Sequence, residues 1–192
     1  MVVKIGILAL QGNYQKHCQI LSQLNFEPIL LRYPYQLEQV SGLIIPGGES
    51  TTISKLIHTA GFRQAIQSFA QQYPLLGTCA GLIMLSNLRQ DDVGINPLGL
   101  INVNVTRNGY GRQLDSFINN VTVTLNDKQQ TIAATFIRAP IINDIGPDVE
   151  VLASYNNKAV AVRQGLHIGL TFHPELNDIT LFHQLAFEEK IN

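Results

Sequence analysis

The sequence predicts an α/β protein: a mostly parallel central sheet flanked by helices in three layers, with additional antiparallel strands in the second half. Three observations carry that expectation. Before Gly99, short apolar runs alternate with segments of helical periodicity, and parallel strands joined by crossover helices are the economical solution to such an alternation. Apolar residues make up 45% of the chain and charged ones only 14%, which suits a sheet buried on both faces. After Gly99 the apolar positions alternate with Thr, Asn or Ala, as more exposed antiparallel strands do.

Val2 to Leu10 is a near-continuous apolar run broken only by Lys4 and Gly6, the pattern of a buried parallel strand. Gln11-Gly12-Asn13 turns the chain, and Tyr14 to Leu24 follows as a helix with Ile20, Leu21 and Leu24 at helical spacing and Asn13 as its N-cap. Strands over Glu27 to Arg32 and Gly42 to Ile45 come next, the second stopped by Pro46-Gly47-Gly48. Glu49 to Thr52 supplies caps for a helix that ends at Gly61, a C′ glycine, and Phe62 to Gln71 forms a second helix on Phe62, Ala65, Ile66 and Phe69. A strand from Pro74 then runs into a helix rich in Leu, Ile and Met. In the second half, strands are expected over Ile101 to Thr106, Val121 to Leu125, Thr131 to Ile137, Val149 to Tyr155 and Ala159 to Gln164, with hairpin turns at Asn126-Asp127-Lys128 and Asn156-Asn157-Lys158. A strand over His167 to Phe172 and a helix over Ile179 to Lys190 close the chain.

The 192 residues are expected to form one domain, 1–192, around one core. Thirteen Lys plus Arg balance fourteen Asp plus Glu for a formal charge of -1, and the absence of any basic run argues against nucleic acid or an anionic membrane as the main partner. No stretch approaches the roughly 20 apolar residues of a membrane span, and the N-terminal run is too short for a signal-peptide core. A cytoplasmic location is therefore expected. Two cysteines, Cys18 and Cys79, stand far apart; a reactive thiol is the expected use of Cys79, and a structural role that of Cys18.

Chemistry centres on Leu75 to Leu82, where Cys79 lies two residues after Gly77 and two before Gly81. A strand that turns sharply into a helix at a nucleophile needs small residues at those two positions. The helix N-terminus then favours thiolate over thiol; a buried structural cysteine is the alternative use of such a stretch. A thiolate attacking an acyl carbon needs a base and a residue that orients it, and His173-Pro174-Glu175 offers both, since residues two apart in extended backbone project to one side. The bland alternative is a solvated strand end. The loop Pro46-Gly47-Gly48-Glu49-Ser50 lets backbone N–H groups approach a ligand, so Gly48 and Ala80 are the expected oxyanion donors; alone, the same glycines describe a tight strand-to-helix connection. Loops after the first, third and fourth strands are expected to meet at one sheet edge, where α/β proteins bind ligands.

Taken together, Pro46-Gly47-Gly48, Gly77-Thr78-Cys79-Ala80-Gly81 and His173-Pro174-Glu175 resemble the class I (triad) glutamine amidotransferases, whose fold is flavodoxin-like. Gly6 to Gly12, Pro46 to Thr52, the elbow, Arg107 to Gln113 and Phe136 to Pro140 are most similar to one branch, the glutaminase subunits of pyridoxal 5′-phosphate synthase. The resemblance spans nearly the whole chain. It implies hydrolysis of L-glutamine to glutamate and ammonia through a γ-glutamyl thioester, with Cys79 as nucleophile, His173 as acid and base, and Glu175 holding the imidazole. It further implies that Gly47, Gly48 and Glu49 line a glutamine pocket closed by Arg107, Ile137 and Arg138. For the arginines, a glutamine α-carboxylate is a fitting partner, and ordinary pairing with Asp or Glu is the alternative. No metal or cofactor is implied. The implied partner is a barrel-shaped synthase subunit in a large heteromeric complex, which takes the ammonia for vitamin B6 biosynthesis and faces the Gln11-Gly12 loop.

Two rivals share these features. Cysteine peptidases on a similar sheet often carry a His directly after the nucleophile, where Ala80 stands here. A binding protein with a decayed site is disfavoured because Cys79, His173 and Glu175 are all present. His17, His58, His167 and His183 show no metal spacing and are expected to be surface or packing residues.

Overall fold

The apolar runs of the first half become strands, each followed by a helix or turn. The computed structural model describes residues 2–87, 94–107, 109 and 116–191; Asn108 and Tyr110 to Gln113, part of one motif named above, lie outside them. In chain order the elements are β1 (Lys4–Leu8), α1 (Tyr14–Gln23), β2 (Glu27–Leu31), β3 (Leu43–Ile45), α2 (Ser50–Thr59), α3 (Phe62–Phe69), β4 (Leu75–Thr78) and α4 (Ala80–Leu85). There follow β5 (Val103–Thr106), β6 (Ser116–Leu125), β7 (Lys128–Ile137), β8 (Ile141–Ile145), β9 (Glu150–Tyr155), β10 (Lys158–Gln164), β11 (His167–Leu170) and α5 (Leu181–Ile191). Short 3-10 turns cover Pro34–Gln39 and Pro174–Asn177.

One nine-stranded sheet runs β2-β1-β3-β4-β11-β10-β9-β6-β7. Its first five strands are parallel, in the flavodoxin-like order that places ligands beyond the carboxyl ends of the strands. The remaining four are antiparallel and extend the same sheet, because β11 pairs parallel with β4 on one side and antiparallel with β10 on the other. Strands β5 and β8 form a separate antiparallel pair. The β8 segment was not among the expected strands: a short run after Ala139-Pro140, it gains its partner only from β5, some 40 positions upstream in the register that pairs Asn104 with Asp144.

Alternation along the parallel strands sends side chains to two cores. Leu8, Leu43, Ile45 and Leu75 meet α2, α3 and α4 on one face. On the other, Ile5, Ile7, Ile44 and Leu76 meet Leu21 of α1 and Phe182 and Phe187 of α5. Phe62 and Phe182, each wholly buried on opposite faces, stabilise the layers by about 1.5–3 kcal/mol apiece relative to exposure. The expected hairpin turns form as type I′-like pairs: Asn126 and Asp127 have φ of 48° and 61°, Asn156 and Asn157 of 48° and 60°, values Asn and Asp tolerate better than other L-residues. Asn13 sits at the N-cap of α1, but its side chain makes no cap hydrogen bond. Among the described residues no helix is long and apolar enough to cross a membrane.

Candidate active site

The strand-to-helix turn is strained at Cys79. Cys79 has φ 51° and ψ −105° at the N-cap of α4, a conformation that costs of order 1–3 kcal/mol for a residue with a Cβ and persists only when its surroundings impose it. Two backbone bonds impose it here: Cys79 N–H donates to the Leu170 carbonyl of β11 at 2.8 Å, and Ile83 N–H donates to the Cys79 carbonyl at 3.3 Å. Close packing does the rest, since a Cβ on Gly81 would overlap the Ile45 carbonyl oxygen of β3. The thiol is 7% exposed, and Sγ donates toward the Ile137 carbonyl at 3.7 Å.

His173 follows β11 and is tied to the neighbouring strand by its N–H, which donates to the Thr135 carbonyl of β7 at 2.9 Å. The expectation that His173 and Glu175 align along an extended strand is overturned in its backbone though not in its outcome. Proline at the first position starts a 3-10 turn over Pro174–Asn177, because its fixed φ suits a helical first turn. That turn folds the Glu175 carboxylate back beneath the imidazole. His173 Nδ1–H donates to Glu175 Oε1 at 2.6 Å, the length of a charge-assisted bond, and Glu175 is wholly buried. Burial opposes charge on His173, yet its contacts with Cys79 and Glu175 outweigh burial and raise its pKa to about 10. Burial likewise opposes charge on Glu175, but His17 and His173 outweigh it and hold the carboxyl below its ordinary value. With Nδ1 bonded to Glu175, Nε2 is the nitrogen left for another partner.

The loop after β3 passes directly over this pair. A Cβ on Gly47 would overlap Cε1 of His173, so only glycine allows the approach. Gly47 N–H donates to Thr78 Oγ1 at 3.1 Å and Glu49 N–H to Gln11 Oε1 at 3.0 Å, which pins the loop to β4 and to the turn after β1. Glu49 spends its carboxylate on capping α2: it accepts from Thr51 N–H at 3.1 Å, and from Thr52 N–H and Oγ1–H at 2.7 Å each. Led by the Thr52 side-chain bond, these contacts lower its pKa to about 2.

One cavity of about 290 Å³ gathers Cys79, His173 and all of Gly47, Gly48, Glu49, Ala80, Arg107, Ile137 and Arg138, with Gln11 and Gly12 at its edge. That volume lies at the small end of ligand pockets, ~300–1,000 Å³. Arg107 Nη1 donates to Thr51 Oγ1 at 3.1 Å, and Arg138 reaches the cavity from a residue with φ 41° just beyond β7. Among the described residues no three His, Cys, Asp or Glu side chains cluster as a metal site.

Two of the histidines expected to be surface or packing residues are buried packing residues that also pair with each other. His17 of α1 and His183 of α5, both wholly buried, join through Nδ1 of His17 and Nε2 of His183 at 2.9 Å. The other nitrogen of His17 lies 3.7 Å from Glu175 Oε1 and 3.4 Å from Thr78 Oγ1. Nothing in the sequence pointed to this pair: 166 positions separate its members, and each is a lone histidine on its helix.

The profile of the SNO glutamine amidotransferase family matches residues 7–192. The chain is 42% identical to the pyridoxal 5′-phosphate synthase subunit PdxT of Oenococcus oeni over 96% of this chain and 95% of the relative. It is 44% identical to the PdxT subunit of Staphylococcus aureus over 92% and 91%. A crystal structure of a glutamine amidotransferase superposes with a TM-score of 0.91 at 36% identity, covering 98% of this chain and 99% of that one. PurLQS from Thermotoga maritima shares the fold, with a TM-score of 0.70 at 17% identity over 98% of this chain and 99% of that chain.

Proposed function

The chain belongs to the SNO glutamine amidotransferase family, and we propose that it is the glutaminase subunit of a pyridoxal 5′-phosphate synthase. Its 1–192 domain hydrolyses L-glutamine with Cys79, His173 and Glu175 as the triad. The observation that carries the triad is the 2.6 Å bond between His173 Nδ1 and Glu175 Oε1, set behind a strained Cys79 in one cavity with two glycines of the β3 loop.

Each step draws on residues of this cavity and its border. His173 holds the thiol proton, and Cys79 Sγ attacks the side-chain amide carbon of glutamine. The oxyanion is met by the N–H groups of Gly48 and Ala80. As the tetrahedral adduct collapses, the C–N bond breaks and the imidazolium gives its proton to the departing ammonia, leaving a γ-glutamyl thioester. Neutral His173 then takes a proton from water, which attacks the thioester; glutamate forms and the thiolate leaves, again paired with the imidazolium. Glu175 holds the imidazole in the correct tautomer throughout and offsets its positive charge. Arg107 and Arg138 are assigned to the α-carboxylate of glutamine, with Gly47, Glu49 and Ile137 shaping the pocket around it.

Released ammonia is useful only if captured, so the chain acts in the cytoplasm within a large heteromeric complex, beside a barrel-shaped synthase subunit that builds pyridoxal 5′-phosphate. With that partner present, Cys79→Ser is expected to abolish glutamine-dependent product and to leave ammonia-dependent product intact. Persistence of both, or loss of both with the fold intact, overturns the assignment.

A further inference from the structure

We propose that His17 is a positioning residue of the active site, holding the Glu175 carboxylate and the Thr78 hydroxyl, and through Thr78 the Gly47-Gly48 loop, in register with Cys79. The proposal rests on the triad assigned above and extends it to a residue that touches neither substrate nor nucleophile.

Glu175 is wholly buried, and a buried carboxylate needs donors on more than one side. Its Oε1 faces two imidazoles, His173 Nδ1 at 2.6 Å and His17 Nε2 at 3.7 Å, while Oε2 has no hydrogen-bond partner among the described residues. His17 Nε2 is also 3.4 Å from Thr78 Oγ1, the oxygen that accepts the Gly47 N–H at 3.1 Å. One imidazole edge therefore borders both the residue that orients the base and the residue that anchors the oxyanion loop.

The tautomers follow from the chain of contacts. A lone pair on His17 Nε2 would be repelled by the carboxylate, so Nε2 carries the hydrogen and Nδ1 is the acceptor. His183 Nε2–H then donates to His17 Nδ1 across 2.9 Å, which leaves a lone pair on His183 Nδ1, an atom without a partner among the described residues. The titratable groups facing His17 are Glu175 and His173 beyond β11 and His183 of α5. Burial lowers the pKa of His17, more than Glu175 restores, and burial lowers that of His183 further. His17 thus presents an N–H dipole without a second cation that would compete with the His173 imidazolium for Glu175.

The test compares His17→Phe, which removes the N–H, with His17→Gln, which returns an amide N–H near the Nε2 position. Readouts are the pH profile of glutamine hydrolysis by the complex, and the pH profile of Cys79 alkylation by iodoacetamide, which needs neither glutamine nor partner. His17→Phe is expected to lower kcat on the order of 10²-fold, as small misplacements of catalytic groups do. The acid limb of both profiles is expected to move up by about one pH unit, because a carboxylate that loses a facing N–H dipole binds its proton more tightly. His17→Gln is expected to recover at least about tenfold of the loss, since its amide N–H restores a dipole toward the carboxylate and the Thr78 hydroxyl. Unmoved limbs, or equal losses in both variants, overturn the proposal. Should His17→Phe not fold, His183→Leu, which removes the donor to Nδ1, is expected to move the limb the same way, and an unmoved limb is again contrary. Full activity in His173→Ala would instead overturn the triad itself, so the two failures are distinguishable.

Discussion

Replacing Glu175 by Gln removes one charge and almost no volume, and its cost can be worked from the His173 pair. His173 is raised from 6.5 to about 10, a difference equivalent to roughly 5 kcal/mol in favour of the imidazolium. Burial works against that charge, and Cys79 and Glu175 share the task of outweighing it. A hydrogen bond to a charged group contributes roughly 1.5–3 kcal/mol, or up to on the order of 10²-fold in kcat. Loss of tautomer control adds to this, since the equivalent carboxylate-to-amide change in a serine triad costs about 10⁴-fold. The expected outcome for Glu175→Gln is therefore a fall in kcat between about 10² and 10⁴-fold with KM little changed, measured by steady-state glutamine hydrolysis in the complex. Acid melts supply a second readout. The folded-state pKa of Glu175 lies below 4.5, so its contribution to stability is present above that value and lost as pH falls through the folded pKa; the variant should lack this share of the acid-side loss. A kcat within about fivefold of the unmodified protein would refute the idea that Glu175 orients and charges His173.

Arg138→Ala is expected to raise KM for glutamine on the order of 10 to 100-fold with kcat within about threefold, because a charge-assisted bond to the α-carboxylate is worth roughly 1.5–3 kcal/mol in ground and transition state alike. A fall in kcat at unchanged KM would contradict that role. Glu49→Ala removes the cap of α2 and is expected to lower unfolding free energy by about 1 kcal/mol in urea titrations near neutral pH. Because the folded pKa of Glu49 is depressed to about 2 from 4.5, the difference between variant and parent should shrink as pH falls through that window. Its size is limited by the exposure of the side chain and by salt, and a difference independent of pH would argue that the cap is not ionic.

Those features with a local cause were legible before any coordinates. Apolar runs bounded by glycine and proline marked β1 to β4, and Asn-Asp and Asn-Asn pairs marked two hairpins because few other residues accept the positive φ the turns require. The elbow was legible for the same reason: glycines two residues either side of Cys79 answer a steric demand, visible in the approach of Gly81 to Ile45. His173 and Glu175 were paired on an extended-strand argument, whereas a proline-initiated 3-10 turn brings them together; the residues allowed both backbones, and the fixed φ of Pro174 together with the bridge from His173 to Thr135 of β7 favours the turn. Glu49, assigned to the pocket by family resemblance, lines the cavity while its carboxylate caps α2. His17 and His183 were illegible because a lone histidine on a helix carries no sign of what the opposite helix brings to it, and β8 because its partner lies outside the main sheet.

The central claim, that Cys79 is the acyl-accepting nucleophile of a glutaminase, is tested most directly by labelling the complex with a glutamine analogue bearing a diazoketone in place of the carboxamide, followed by peptide mass mapping. One adduct per chain is predicted, on the peptide containing Cys79 and not on that containing Cys18, prevented by glutamine and accompanied by full loss of glutamine hydrolysis. Hydrolysis that continues with Cys79 fully labelled, or inactivation with the adduct on another residue, would contradict the account.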